Sequence, residues 1–308
     1  MTTDTTTSEL AQHIATGYAL GKPTATRLIS TGFEDTNLDL TTRRQQVVAK
    51  VFAPSRARWA HRTAEIIQRA RAAGGRHPRL HHDTAGQLVH HLPGGRTCLV
   101  MDRIDGADYY QLGRPPTTAE LGDLADQVVL VHSLDLELDP VSDPWQITQL
   151  VPLAHTLHDV LDAEQRRLVD TAITATTAVR RDLLPVTVIH GDLTKGNVLV
   201  DHDGRIVMID FGVAHTAPRV QELAVVAANL CHGSPTPLPQ RAEHLAALYS
   251  PRAASPLTTC EHAALAAYTG AAAAMEMLGA LAEWHHGNRG SEVAYLIDLG
   301  LAGLRETR

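Results

Sequence analysis

Hydrophobic and polar positions alternate along several short β-rich runs in the first third of the chain, and after Asp102 the apolar residues take up helical spacing. A helix is predicted over Ser8–Leu20, ended by Gly21-Lys22-Pro23. Strands follow at Thr26–Thr31, Asn37–Thr42 and Val47–Phe52, forming a meander with the polar Arg43-Arg44-Gln45-Gln46 between its last two members. A helix over Ser55–Ala73 stops at Gly74-Gly75, and Gln87–Leu92 and Thr97–Met101 flank Pro93-Gly94-Gly95 as a hairpin. The order to this point is βββαββ.

Beyond Asp102 the balance shifts to helix. Thr117–Leu134 opens with a capping-box pattern, Thr117 to Glu120, and sets Leu121, Leu124, Ala125 and Val128 on one face. A second helix is predicted over Thr171–Leu184, then a strand pair between Val186 and Asp210, then helices interrupted at Ser234–Pro239 and Pro251–Pro256. Ala264–Ala282 is apolar enough to suggest a membrane span, but Glu276 near its middle favours a packed helix. The pattern predicts an α+β fold in two lobes, a small β-rich N-lobe at 1–101 and a larger α-helical C-lobe at 102–308, with a cleft near residue 102.

Composition narrows the function classes. The 308 residues suffice for two lobes, and Lys and Arg total 27 against 34 Asp and Glu, a net charge of −7 that argues against nucleic acid as a partner. Cys98, Cys231 and Cys260 lie far apart with no C-x-x-C, which speaks against a disulfide scaffold. The opening MTTDTTTSEL has neither a basic start nor an apolar run, so no secretory signal is expected. The expectation is a cytoplasmic protein with no membrane partner; its oligomeric state is not legible.

The chemistry concentrates between Val188 and Gly212. Asp203-Gly204 reads as a two-residue hairpin turn, which would set Asn197 opposite Asp210 and bring an amide oxygen and a carboxylate together. Two hard oxygen donors at that spacing suit Mg²⁺ carrying substrate phosphates. Asp192, five residues before Asn197 in a loop holding Gly191 and Gly196, can stand beside the metal and take a proton from an acceptor hydroxyl.

His190-Gly191-Asp192, Asn197 and Ile209-Asp210-Phe211-Gly212 resemble the catalytic loop and metal motif of the aminoglycoside phosphotransferase and choline kinase-like small-molecule kinases, which share the protein kinase-like fold. The resemblance runs from about Thr26 to Leu230. It implies Asp192 as catalytic base, His190 as the brace of its loop, and Asn197 and Asp210 as Mg²⁺ ligands. Lys50, in the third strand with Val48 and Phe52 on its face, matches the lysine that holds the α- and β-phosphates, and Glu65 is the glutamate in position to pair with it. The backbone of Asp102 and Ile104 would hold adenine, and Ser30–Asn37, with Gly32 and Asn37, would cover the phosphates. Departures are the single glycine of that loop, Thr194-Lys195 where His-Pro is common, with Lys195 read either as reaching the transferring phosphate or as a solvated loop lysine, and Glu222-Leu223-Ala224 where Asp-Leu-Ala is usual.

The implied activity is transfer of the γ-phosphoryl group of Mg·ATP, with GTP left open, to a hydroxyl of a small molecule. The short stretch from Gly212 to Arg219 and the lack of an A-P-E leave little room for docking a protein substrate. The acidic balance favours a cationic acceptor: an aminoglycoside-like antibiotic, an aminoalcohol or a hydroxy-amino acid. Glu261, Glu276, Glu283 and Asp298 on the late helices are read first as solvated or capping groups. Two alternatives are carried: a nucleotide-binding regulatory module without turnover, and a metal-dependent hydrolase built on His81-His82, His90-His91 and His285-His286, disfavoured because adjacent histidines on a strand face opposite ways. A resistance, biosynthetic or catabolic role is not legible.

Overall fold

Strands β1 (Pro23–Ile29), β2 (Thr36–Thr42), β3 (Gln46–Phe52), β4 (Val89–His91) and β5 (Thr97–Asp102) build one antiparallel sheet of order β1-β2-β3-β5-β4. The computed structural model describes residues 7–29, 35–138 and 143–307, so the predicted phosphate-covering residue Gly32 lies outside the described residues. Alternation decides the faces of the sheet. Leu38, Leu40, Val47, Ala49, Val51 and Val100 are buried in one cluster with Leu10, Ala11 and Ile14 of helix α1 (Thr7–Gly17). Each large side chain sealed there contributes roughly 1.5–3 kcal/mol. Helix α2 (Ala57–Ala72) buries Ala60, Thr63, Ile66, Ile67 and Ala70. These elements belong to one compact unit, Met1–Gly106 with Asp201–Asp203 and Ile209–Gly212.

The second unit comprises Ala107–Val200, Gly204–Met208 and Val213–Arg308. Strand β6 (Gly106–Asp108) leads into α3 (Tyr109–Leu112), and α4 (Thr118–His132) carries the Thr117–Glu120 capping box that the sequence predicts. Helix α5 (Leu150–Thr156) precedes α6, which spans Ala163–Thr177 and so begins eight residues before the Thr171 start read from the sequence. Its cap explains the difference: Asp162 and Gln165 bond reciprocally, a second capping box that a search for apolar spacing overlooks.

Strand β7 (Val186–Ile189) pairs with β10 (His215–Pro218), and β8 (Val198–Asp201) with β9 (Ile206–Met208). Val198 pairs with Met208 and Val200 with Ile206, one residue off the predicted register. The turn is therefore one residue longer than Asp203-Gly204 alone, with Gly204 at φ +77°, and continuing the ladder would set Asn197 opposite Ile209 rather than Asp210. Helix α7 (Val220–Val225) continues as a π-helical turn, Val226–Leu230, and α8 (Leu238–Tyr249) follows. Helix α9 (Thr259–His285) is long and apolar enough to cross a membrane by length and composition, yet 78% of its apolar window is buried. It packs along α10 (Ser291–Glu306) as a core helix.

Candidate active site

In the first unit, strand alternation turns Val47, Ala49 and Val51 into the core and sends Lys50 to the other face, opposite Asn37 of β2 in the register. The Lys50 Nζ lies 2.7 Å from both Asp210 oxygens and 3.4 Å from Asp35 Oδ2. Burial alone would lower the lysine pKa, but the two carboxylates outweigh it and hold the amine above its ordinary value. Asp35 is fixed in turn by Arg56, whose guanidinium donates at 3.1 and 3.3 Å and stacks 4.1 Å over the Trp59 ring.

Glu65 does not join this group. Its position on α2 is exposed because the buried arc of Ala60, Thr63, Ile66, Ile67 and Ala70 packs inward, so Asp35 takes the place predicted for Glu65. Asp35 carried a weak signal, lying within the stretch read as the phosphate loop. Asp210 adopts φ +64°, a left-handed conformation costly for a residue with a Cβ, and its Oδ1 also accepts the Gly212 N–H at 3.1 Å. At the end of β5, Asp102 N–H donates to the Arg79 carbonyl at 3.0 Å, while Ile104 N–H has no backbone partner among the described residues. The Asp102 carboxylate accepts from Arg79 and lies 2.7 Å from His81 Nε2. Burial would raise its pKa; those two partners bring it below the usual range.

In the second unit, the segment after β7 is held from beneath by one acid. His190 is fully buried, and Glu222 accepts its N–H and, at 3.1 Å, the N–H of Gly191. Gly191 has φ +83°, and a Cβ there would meet the His215 ring at 3.1 Å and the Val213 carbonyl at 3.2 Å. Burial would raise the Glu222 pKa, but His132, His190 and the backbone donors keep it below its ordinary value. His132 Nε2 lies 3.8 Å from Glu222, and its Nδ1 lies 2.8 Å from the Tyr249 hydroxyl.

The same loop brings Asp192 and Asn197 together. Asn197 Nδ2 donates to the Asp192 carbonyl at 3.0 Å and to its Oδ2 at 2.6 Å, while Asp192 N–H donates to His190 Nδ1 at 3.3 Å. Lys195 departs from expectation: its buried ammonium donates to the Tyr295 hydroxyl at 2.8 Å, which engages it with α10 instead of leaving it a free cation for the transferring phosphate. Its N–H donates to Asn229 Oδ1 at 3.0 Å.

Around this loop stand aromatic groups that the sequence does not single out. The rings of Tyr110 and Tyr295 meet edge to face at 5.8 Å, and His232 meets Tyr295 at 6.1 Å. Burial, then the charges of Glu276, Glu292 and Asp192, push the Tyr110 phenol upward. Burial also pushes the Glu276 carboxyl up to about 7, against the bond at 2.9 Å that its Oε1 accepts from Asn229, and raises Glu292. Glu276 is therefore neither the solvated nor the capping group that the sequence suggests first, whereas Glu261 is a capping residue, closing the box with Thr258 and pairing with Arg219. Tyrosines on two elements far apart in the chain carry no local signature, so Tyr110 and Tyr295 could not be grouped from sequence.

A family model described as the phosphotransferase enzyme family matches residues 25–257. No curated protein matches the sequence. Among solved structures, the spectinomycin phosphotransferase APH(9)-Ia in complex with ADP and spectinomycin is similar over 97% of this chain and 98% of its own, at 13% identity and a TM-score of 0.69. The microcompartment-associated aminopropanol kinase is similar over 96% and 94%, at 15% identity and a TM-score of 0.69. A choline/ethanolamine kinase family protein from Mesorhizobium loti is similar over 97% and 93%, at 15% identity and a TM-score of 0.67. These likenesses give the chain the protein kinase-like fold of that group.

Proposed function

Because this chain belongs to the phosphotransferase enzyme family, we propose that it transfers the γ-phosphoryl group of Mg·ATP to a hydroxyl of a small cationic acceptor. The observation that carries the reading is the arrangement of Asp192, held at its carbonyl and carboxylate by Asn197 and at its N–H by His190, in a loop anchored on Glu222. In this reading residues 1–101, with the backbone of Asp102 and Ile104, bind the nucleotide, and the rest of 102–308 supplies catalysis and acceptor contacts. Lys50 exchanges Asp210 for the α- and β-phosphates while Asp35 keeps it oriented, and Asn37 shares its face of the sheet. Ile104 N–H offers adenine a donor; Asp102 contributes its carbonyl, since its N–H is engaged by Arg79.

The donor types of the two residues suit Mg²⁺. Asn197 uses Nδ2 for both bonds to Asp192, which leaves its Oδ1 for an ion, and Asp210 would add a carboxylate. Few protein oxygens, completed by phosphate and water, is the arrangement Mg²⁺ favours over zinc. Bound there, the ion would offset negative charge on the phosphates. Asp192 orients the acceptor hydroxyl and takes its proton as the oxygen bonds to the γ-phosphorus, while the bond to the β,γ-bridging oxygen breaks and ADP leaves.

Support for a cationic acceptor comes from Glu276 and Glu292, with the Tyr110 and Tyr295 rings beside them, close enough to Asp192 for its charge to act on Tyr110. Carboxylates and aromatic faces both attract an ammonium group. Spectinomycin and aminopropanol, named for two similar structures, set the scale of acceptor to try first. The test is a mass-spectrometric screen for an added phosphate across aminoalcohols, hydroxy-amino acids and aminoglycosides, with Asp192→Asn as control. We expect phosphate on at least one acceptor and a rate loss of roughly 10²-fold or more in the variant; full activity in Asp192→Asn would refute Asp192 as base.

A further inference from the structure

Asn229 is 1% exposed and sits in the π-helical turn after α7, a kind of helix insertion that recurs at functional sites. It uses both ends of its amide: Oδ1 accepts the Lys195 N–H at 3.0 Å, and Nδ2 donates to Glu276 Oε1 at 2.9 Å. The second Glu276 oxygen has no hydrogen-bond partner among the described residues, and the residue is 9% exposed. Lys195, three residues after Asp192 and two before Asn197, is gripped at three points. Besides the bond to Asn229, its carbonyl accepts the Tyr109 N–H at 3.0 Å and its ammonium reaches Tyr295.

From this geometry we propose that Asn229 is a positioning residue that locks the loop bearing Asp192 to α9 through Glu276, one oxygen of Glu276 holding the loop and the other meeting the acceptor. The inference rests on the kinase reading above and deepens it. An amide has one accepting and one donating end, so the orientation that serves Lys195 requires an acceptor on the far side, and Glu276 Oε1 is that acceptor. Occupancy of the acceptor site and placement of the base are thereby joined through two hydrogen bonds.

The consequence is a separation that ordinary destabilisation would not produce. Glu276→Gln keeps an oxygen for Asn229 Nδ2 and loses only the charge. It is expected to raise the acceptor KM about tenfold with kcat within about twofold. Glu276→Leu and Asn229→Ala release the loop and are expected to lower kcat about tenfold or more, with the ATP KM nearly unchanged and with no further loss when combined. Asn229→Asp removes the donor to Glu276 and is expected to lower kcat alone. Joined to Glu276→Gln, whose amide can donate in the reverse direction, it should recover most of that loss.

Hydrogen exchange of residues 190–197 gives a readout independent of turnover: about fivefold or faster exchange in Asn229→Ala, Asn229→Asp and Glu276→Leu, and wild-type exchange in Glu276→Gln and in the reversed pair. The proposal is overturned if Glu276→Gln behaves like Glu276→Leu, or if the reversed pair fails to restore protection. Should the wild-type protein phosphorylate no acceptor, the kinase reading fails by itself, while the exchange pattern still decides whether the lock exists. Where Asn229→Ala does not fold, Asn229→Asp and its reversed pair decide alone.

Discussion

Lys50 keeps its charge in a buried setting because Asp35 and Asp210 stand against it, and the two acids do not have equal roles. Asp210 is also needed for metal in the proposed reaction, so Asp35, itself clamped by Arg56, is the partner that remains when Asp210 turns to the ion. Asp35→Asn is expected to raise the ATP KM about tenfold, the worth of one charge-assisted hydrogen bond. Glu65→Gln should stay within about twofold of wild type; steady-state kinetics over an ATP series distinguishes them. Glu276 poses the opposite electrostatic case. Folded, it holds its proton up to about pH 7; unfolded, it releases it near 4.5, the ordinary value for a glutamate. Between those values the unfolded chain binds fewer protons, so the contribution of this group to stability is full below the lower value and is lost as pH rises toward the upper one. The difference is on the order of 3 kcal/mol. Urea unfolding at about pH 5 and about pH 8 should show the wild type losing that increment relative to Glu276→Gln, and parallel pH dependences of the two proteins would refute it.

Between strand and helix, the turn after β7 concentrates several constraints. Gly191 needs a positive φ, its N–H is taken by Glu222, and the space a side chain would fill is occupied by His215 and the Val213 carbonyl. Gly191→Ala is therefore expected to destabilise the protein by about 1–3 kcal/mol and to lower kcat more than it changes the ATP KM. A shifted urea midpoint with an unchanged slope would check the first part. Elsewhere, local rules predicted elements where the signal was itself local. The Thr117–Glu120 box marked α4, and alternation placed Lys50 on the right face of β3. Helix α6 was misplaced because its start is written in Asp162 and Gln165 rather than in apolar spacing. The β8–β9 register slipped by one because Gly204 serves a three-residue turn as readily as a two-residue one.

At the scale of the whole chain, motif residues were legible and their partners were not. His190, Asp192, Asn197 and Asp210 lie within one short segment, so the motif could be read along the chain. Asp35, Asn229, Glu276 and Tyr295 reach their partners only through the tertiary fold: Asn229 meets Glu276 across 47 positions and Lys195 meets Tyr295 across 100. The Lys50–Asp210 pair, spanning 160 positions within the first unit, makes a distinct thermodynamic claim. A nucleotide that binds only the folded chain stabilises it by mass action, about 2.7 kcal/mol at a hundredfold excess over Kd. If Lys50 serves the phosphates and Asp210 the ion, Mg·ATP should raise the unfolding midpoint more than ATP with chelator. Asp210→Asn should erase the difference made by Mg²⁺ while keeping part of the response to nucleotide. Lys50→Ala should weaken both responses, each read against that variant's own nucleotide-free baseline, which falls because Asp210 loses its cation. Thermal unfolding with ATP, Mg·ATP and Mg²⁺ alone resolves these cases; an Mg²⁺-dependent shift that survives in Asp210→Asn would take the metal away from that residue.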